Sequence, residues 1–310
     1  MILKQILFIL LLYMDIIIYG HNGWIGQQVI NELDKENNKK TFYCSQYRVD
    51  DMVNIEKELI EINPSHMLCL VGRTHGTIDN IEYTTIDYLE QPDKLYENVR
   101  DNLFSPVFLA ILANKHKKHL TYMGTGCIFA YDDTHPFGQE TNGFTESDKP
   151  NFFGSSYSVV KGFTDKLMHS LESSVLNLRI RMPITSELSK RNFITKITTY
   201  EKICSIPNSM TVLPELIPVM LRMMEDNKKG TYNFTNPGLI SHNEMLEMYR
   251  DIVDPSFTWN NFSLDEQNAI LASKRSNNFL DTHKLESEYN VMDIKTSVKK
   301  IMYEIKNNDL

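Results

Sequence analysis

The sequence predicts an α/β protein: a doubly wound parallel sheet with a smaller C-terminal cap interleaved with it. Three observations carry that prediction. Short apolar runs alternate with stretches of helical periodicity through the first half of the chain, the pattern of parallel β-α-β units. The first run ends in a glycine-rich turn, Gly20-His21-Asn22-Gly23-Trp24-Ile25-Gly26, which leads into an amphipathic stretch. After Pro183 the pattern changes, and Pro207, Pro214, Pro218, Pro237 and Pro255 break the chain into short helices and polar loops.

Strands are expected in order at residues 15–19, 41–44, 67–71, 120–123 and 175–181. Helices fall between them at 24–33, 53–60, 100–115 and 156–171. Parallel strands joined by helices place ligands at the strands' carboxyl ends. A further strand at 231–234 returns to the sheet, so the two parts share no clean linker. The expected division is an N-terminal extension at 1–13, a sheet domain at 14–183 and a mainly cap region at 184–310.

The 310 residues carry 32 Lys+Arg against 40 Asp+Glu, a formal net charge of -8, with 42% hydrophobic and 23% charged residues. At roughly 150 residues per domain, that is about two lobes with a real core. The composition argues against disorder and fibrous repeats, and the acidic total argues against a nucleic-acid surface. Residues 6–14 form an apolar run shorter than the ~20 residues a membrane span needs. Asp15 and a strand follow it where a secretory signal needs a small-residue cleavage site, so an extension with Met14 as the natural start is the preferred reading over a signal peptide. Cys44, Cys69, Cys127 and Cys204 have no paired spacing, which suits a reducing cytoplasm and leaves the Asn233 and Asn261 sequons unused. His116 and His119, in a basic helix end, read as surface residues rather than metal ligands, and no metal site is expected.

Each glycine of the first turn has a physical task. Gly20 makes a tight turn, Gly23 admits a pyrophosphate against the backbone, and Gly26 lets helix and strand pack. Free N–H groups of Asn22 to Gly26 and the positive helix end then face the phosphates. The bland alternative is an ordinary strand-to-helix turn. The next strand carries a second indication, because an Asp or Glu there binds the ribose of NAD, whereas an Arg accommodates the phosphate of NADP. Residues 41–48 contain no acid and end in Arg48, which favours NADPH, the alternative being a plain surface arginine.

Tyr157 and Lys161 are four apart, on one face of a helix. An ammonium beside a phenol stabilises phenolate, which makes the tyrosine a proton donor for a carbonyl that receives hydride. Thr125, after the fourth strand, is placed to hydrogen-bond the same oxygen. At these residues the chain resembles the extended short-chain dehydrogenase/reductases, whose Rossmann-type pattern is the glycine loop, a Ser/Thr after the fourth strand and YxxxK on the next helix. The resemblance implies that Tyr157 is the general acid, that Lys161 also holds the nicotinamide ribose, and that Asn102 supports the lysine.

Cys127 departs from a simple reductase. Beside a 4-keto sugar, C3 and C5 are both acidified, and inverting them needs a proton acceptor on one face and a donor on the other. A thiol with pKa near 8.5 suits that exchange, although a small residue buried at a strand end is the plain alternative. The segments TGCIF, NFFGSSYSVVK, RIRMP, RNFITK, IPNSMT and YNFTNPG closely resemble the bifunctional UDP-4-keto-6-deoxyglucose 3,5-epimerase/4-reductases of UDP-rhamnose synthesis. By that resemblance Cys127 and Lys196 form the epimerase pair, Pro183 joins the cofactor site, and Asn208, Ser209 and Arg275 hold UDP. Lys196 alone would read equally as a solvated lysine or a phosphate clamp. The segment Val71–Gly76 departs from the plant pattern, which leaves its contacts open. The resemblance further implies a homodimer, and because the sequence holds only one nucleotide-binding lobe, the upstream dehydration of UDP-glucose is expected of a separate 4,6-dehydratase. Two rivals stand beside it: a 4-ketoreductase without epimerase activity, and a non-catalytic NADP-binding regulatory subunit.

Overall fold

The computed structural model describes residues 14–35 and 40–308, so the expected extension at 1–13 lies outside the described residues apart from its boundary. β1 (Met14–Tyr19) leads through the glycine turn into α1 (Trp24–Lys35), and β2 (Lys40–Cys44) precedes α2 (Met52–Ile62). After β3 (His66–Cys69) comes a hairpin of β4 (Gly76–Ile78) and β5 (Ile81–Tyr83). α3 (Leu95–Val99) passes through a π-helical turn, Arg100–Phe104, into α4 (Ser105–Lys115). β6 (His119–Thr125), α5 (Ser156–His169) and β7 (Val175–Ile180) follow.

The remaining chain alternates short strands and helices. They are β8 (Pro183–Ile184), α6 (Phe193–Thr199), β9 (Lys202–Ile203), β10 (Thr211–Val212), α7 (Leu213–Glu225) and β11 (Gly230–Asn233). Then come α8 (His242–Ile252), β12 (Asn260–Asn261), α9 (Leu264–Ile270), α10 (His283–Glu286) and α11 (Ile294–Asn308).

Six strands form one parallel sheet in the order β2-β1-β3-β6-β7-β11. The chain steps from β1 outward to β2 and then back across to β3, so the topological switch lies between β1 and β3. Ligands of doubly wound sheets bind at that crevice. The strands are covered on both faces, which is why they read as unbroken apolar runs. Ile16, Ile18 and Leu178 pack with Val29 of α1 and Met220 of α7; Ile17, Met67 and Leu120 pack on the other face with Leu59 of α2 and Leu109 of α4. A separate core, including Ile194, Ile197, Val212, Leu246 and Ile301, joins α6, β10, α8 and α11.

The expected strands appear within two residues of their places, including the returning β11. The expected helix at 100–115 begins earlier, at Leu95, because the π turn adds a residue and breaks the 3.6-residue period. Ser105 N–H there bonds to Arg100 O, five residues back. Pro106 has no N–H to offer the Asn102 carbonyl, which accepts from Thr164 Oγ1 at 2.6 Å. The β4–β5 hairpin was legible only in Asp79 and Asn80, whose φ values of 48° and 66° suit its tight turn. Among the described residues no helix is long and apolar enough to cross a membrane.

Candidate active site

Gly20 leaves β1 at φ +88°, a conformation that glycine adopts without strain. A Cβ there would lie 2.8 Å from the Leu70 carbonyl carbon, so the turn at the switch point closes only on glycine. Gly23 N–H bonds to Gly20 O at 3.0 Å, and α1 starts at the next residue. A Cβ on Gly26 would meet the carbonyl oxygens of Gly20 and His21 at 2.5 and 2.6 Å. Gly23 and Asn22 remain exposed, and the first turn of α1 presents unbonded N–H groups with the positive dipole end. This cradle fits a dinucleotide pyrophosphate. Glu187 braces it from the cap side, accepting from Trp24 Nε1 at 3.0 Å and Gln28 Nε2 at 2.7 Å.

From the cradle a cavity of about 430 Å³ runs to the cap, past Trp24, Ile25, Met182 and Pro183. Met182 sits at φ +38°, a strained backbone for a side-chain-bearing residue and a feature typical of ligand-binding positions. Thr125, at the end of β6, is buried; its Oγ1 accepts from Cys127 N–H at 3.1 Å. Tyr157 and Lys161 stand one turn apart on α5 and line the same cavity as Thr125 and Cys127. Burial pushes the Tyr157 phenol well above its usual range, with Cys127 adding to the rise and Thr125 opposing it. Tyr157 therefore stays protonated at neutral pH. Burial lowers Lys161 to about 8, against the pull of Cys69, Asp165 and Cys127.

The lysine does not take the partner expected from spacing alone. Its Nζ lies 6.0 Å from the Tyr157 ring centre and donates to Tyr122 Oη at 2.5 Å. Asn102 reaches it through the backbone of the loop after β3. The asparagine accepts from Arg73 N at 2.9 Å and donates to Arg73 O at 2.8 Å. That grip seats Gly72 where a Cβ would be 3.2 Å from Asn102 Oδ1 and 4.0 Å from Lys161 Nζ.

Lys196 enters from α6, whose first turn is capped by Asn192, and donates to Thr84 O at 3.2 Å. Burial lowers it to about 8, helped by Arg191 and Arg275. About one lysine in ten is then neutral at pH 7, compared with almost none in water. Arg275 pairs with Asp87 at 2.5 Å, while Arg191 Nη1 is buried without a hydrogen-bond partner among the described residues. His75, lining the same cavity, is held neutral, lowered to about 4 by burial and then by Arg191, Lys196 and Arg73. The cap end of the cavity thus offers three cations, a setting suited to a diphosphate.

Two expectations need correction. Asn208 and Ser209 do not line the cavity: both are fully buried, Asn208 Oδ1 accepting from Arg181 Nη2 at 2.8 Å and Ser209 Oγ from Leu280 N at 2.9 Å. They fasten the wall that carries Arg275. His119 is no surface residue, because β6 begins with it and sets it opposite His66, with Nε2 2.6 Å from Lys228 O. Arg48 stands after β2 outside the cavity lining, with a 64% exposed side chain, 3.1 Å from Asp50 and 3.7 Å from Asp101. Among the described residues no three His, Cys, Asp or Glu form a metal-sized group. Sequence reasoning assigned no role to Tyr122, His75 or Arg191. The last two lie in segments whose unusual wording was visible, Val71–Gly76 and RNFITK, but whose spacing implied no chemistry.

A nucleotide cradle at the switch point, with a Thr-Tyr-Lys set at the carboxyl end of the next strands, defines an oxidoreductase of the short-chain dehydrogenase/reductase class. No family model matches the chain. A crystal structure of the L780 UDP-rhamnose synthase from Acanthamoeba polyphaga mimivirus superposes with a TM-score of 0.89, at 52% identity over 94% of this chain and 99% of that one. The bifunctional dTDP-4-dehydrorhamnose 3,5-epimerase/dTDP-4-dehydrorhamnose reductase of Arabidopsis thaliana is 42% identical, over 94% of this chain and 93% of its own length. A trifunctional Arabidopsis relative, named for UDP-glucose 4,6-dehydratase as well as epimerase and reductase activities, is 40% identical over 93% of this chain but only 41% of its own length. The chain belongs to the family of bifunctional 3,5-epimerase/4-reductases that act in nucleotide-rhamnose synthesis, and it is an enzyme of epimerisation and 4-keto reduction.

Proposed function

We propose that the protein converts UDP-4-keto-6-deoxy-D-glucose to UDP-L-rhamnose, by 3,5-epimerisation followed by NADPH-dependent reduction of the 4-keto group. The observation that carries this reading is the opening of Cys127 and Lys196 onto the same cavity as Thr125, Tyr157 and Lys161. Cys127 and Lys196 exchange the C3 and C5 protons, one group removing a proton while the other returns one to the opposite face. Thr125 and Tyr157 hydrogen-bond O4 and stabilise the enediolate formed on proton loss. When bound, the reduced nicotinamide supplies a hydride to C4. Tyr157 gives its proton to O4, and the Lys161 ammonium stabilises the phenolate left behind. Epimerisation comes first, because C3 and C5 lose their acidity once C4 is reduced.

Gly20, Asn22, Gly23, Trp24, Ile25 and Gly26 would hold the cofactor pyrophosphate, Arg48 the ribose phosphate that distinguishes NADPH, and Pro183 with Met182 the nicotinamide edge. Arg275 and Arg191 fit the UDP phosphates, with Asn208 and Ser209 supporting their wall. The reading includes a cofactor domain at 14–183, a mainly substrate-binding cap at 184–310 and a separate 4,6-dehydratase as the source of substrate. Four free cysteines favour a reducing compartment, the cytoplasm, for this reaction. A homodimer is supported by the exposed apolar side chains of Tyr96, Phe104 and Ile111 on the run from α3 to α4 and of Phe163 and Leu167 on α5.

Turnover of the keto-sugar with NADPH, with the product identified by NMR, tests the whole reading. Deuterium should enter C3 and C5 from solvent without NADPH. Reduction without such exchange would leave a plain 4-ketoreductase, and no NADPH consumption would leave a binding subunit.

A further inference from the structure

We propose that Tyr122 is a positioning residue for the reduction, its buried hydroxyl holding the Lys161 ammonium charged beneath Tyr157. This rests on the reading of Lys161 as the cation that serves Tyr157. Tyr122 lies within β6, 1% exposed, with Cys69 of β3 opposite it in the sheet. Its hydroxyl is 2.5 Å from Lys161 Nζ, and its ring centre is 4.9 Å away, nearer than the 6.0 Å to Tyr157's ring. Among the described residues this is the one hydrogen bond that Nζ makes.

The other groups facing the ammonium cannot replace that acceptor. Cys69 is pushed up to about 12 by burial and stays a neutral thiol. Asp165, one turn along α5, spends its carboxylate on Arg179 at 2.7 Å and Asn177 at 2.9 Å. Cys127 and Tyr157 face the lysine across the cavity but accept no hydrogen bond from it. Tyr122 itself is raised far above the phenol range by burial, so it remains a neutral hydroxyl. Its oxygen is therefore what makes a charged lysine tolerable at a position this deeply buried. The hydroxyl also fixes direction, since an unbranched four-carbon side chain otherwise has many rotamers.

The test is Tyr122→Phe, which keeps ring and volume and removes only the acceptor. A buried hydrogen bond to a charged group corresponds to roughly one pH unit in the lysine's ionisation. The basic limb of kcat for reduction should therefore move down by about one unit from about 8, and kcat at pH 8 should fall about five-fold. Solvent deuterium exchange at C3 and C5 without NADPH, which depends on Cys127 and Lys196, should stay within a factor of about three. Tyr122→Gln, which restores a carbonyl acceptor, should return the limb most of the way. Equal loss of reduction and exchange with an unmoved limb in both variants would overturn the proposal, since that is the signature of a disturbed sheet. Lys161→Met separates the underlying reading: if it reduces the keto-sugar normally, the assignment of Lys161 fails whatever Tyr122 does.

Discussion

The two chemical sets are built differently. Thr125, Tyr157 and Lys161 hang from the sheet domain, on a central strand and the helix packed beside it, and each is nine-tenths or more buried. Lys196 reaches the cavity from α6, a seven-residue helix belonging to the separate cap core, and its ammonium donates across to the Thr84 carbonyl. Cys127 sits between them, in the loop just past β6. On the proposed assignment, reduction would have a rigid scaffold of its own, whereas epimerisation would need sheet and cap held together. Precision of placement follows the regularity of the supporting element.

The sharpest way to break this contrast is to remove one group from each set. Tyr157→Phe should lower NADPH oxidation about 10³-fold, the usual loss for a general acid, while C3 and C5 exchange survives at a reduced rate. Loss of exchange to the same extent would mean that the two sets are one. Lys196→Met and Cys127→Ser should each lower exchange about 10²-fold or more, leaving reduction of an already epimerised keto-sugar within a few-fold.

Lys196→Met carries a second consequence, because the native site holds that lysine at about 8, below its unfolded value. Below pH 8 the folded state bears the full penalty of a desolvated ammonium. As pH rises from 8 to the unfolded value near 10.4, the unfolded chain loses its extra proton and the penalty disappears. The variant should accordingly be more stable than the parent at pH 7, by about 1–2 kcal/mol in denaturant melts, with the difference closing by about pH 10.5. A destabilised variant at pH 7 would show that Lys196 is a structural tie between sheet and cap rather than a strained catalytic group.

How much of this was legible in the sequence differs between the same two regions. The glycine loop and the Tyr157–Lys161 spacing are local, so periodicity alone placed them, and every expected sheet strand formed. Cys127 and Lys196 are 69 residues apart in sequence, and only resemblance paired them. In the cap, the UDP contacts that the resemblance implied at Asn208 and Ser209 turn inward. Asn208 and Ser209 look like ligand contacts, yet a cap of short segments leaves many backbone groups to satisfy, and they are spent inside the wall. Asn233 shows the same economy, since its sequon side chain is fully buried and donates to Phe144 O and Asp281 O. Tyr122 escaped notice because an aromatic residue in a core strand is ordinary; only the lysine end of its hydroxyl gives it meaning.

Acid should probe the sheet half from the amino ends of its two central strands. His66 and His119 pair across β3 and β6 with ring centres 4.9 Å apart. Burial lowers both, His66 to about 4 with His119 contributing. As pH falls from about 6.5 toward 4, the unfolded chain takes up protons that the folded pair refuses, so stability drops through that window and levels below it. The loss should be about 2–3 kcal/mol between pH 7 and pH 4.5, and His66→Gln should flatten that slope. An unchanged slope in the variant would place the acid sensitivity elsewhere.

The smallest effect belongs to neither set and marks where the scaffold ends. Arg48 is mostly exposed and is already held by Asp50 and Asp101, so a ribose phosphate would exchange one anionic partner for another in water rather than fill an empty buried site. Arg48→Ala should therefore weaken NADPH binding only about ten-fold, leave NADH binding within a factor of two, and leave exchange at C3 and C5 unaltered. Raising the salt concentration should shrink the NADPH difference, because an exposed pair is screened while the buried pair of Arg179 and Asp165 is not. Equal losses for the two coenzymes would return Arg48 to the plain surface. A loss well beyond a hundred-fold would mean that the arginine turns inward on binding, and the adenosine end would then be as tightly organised as the reductase set.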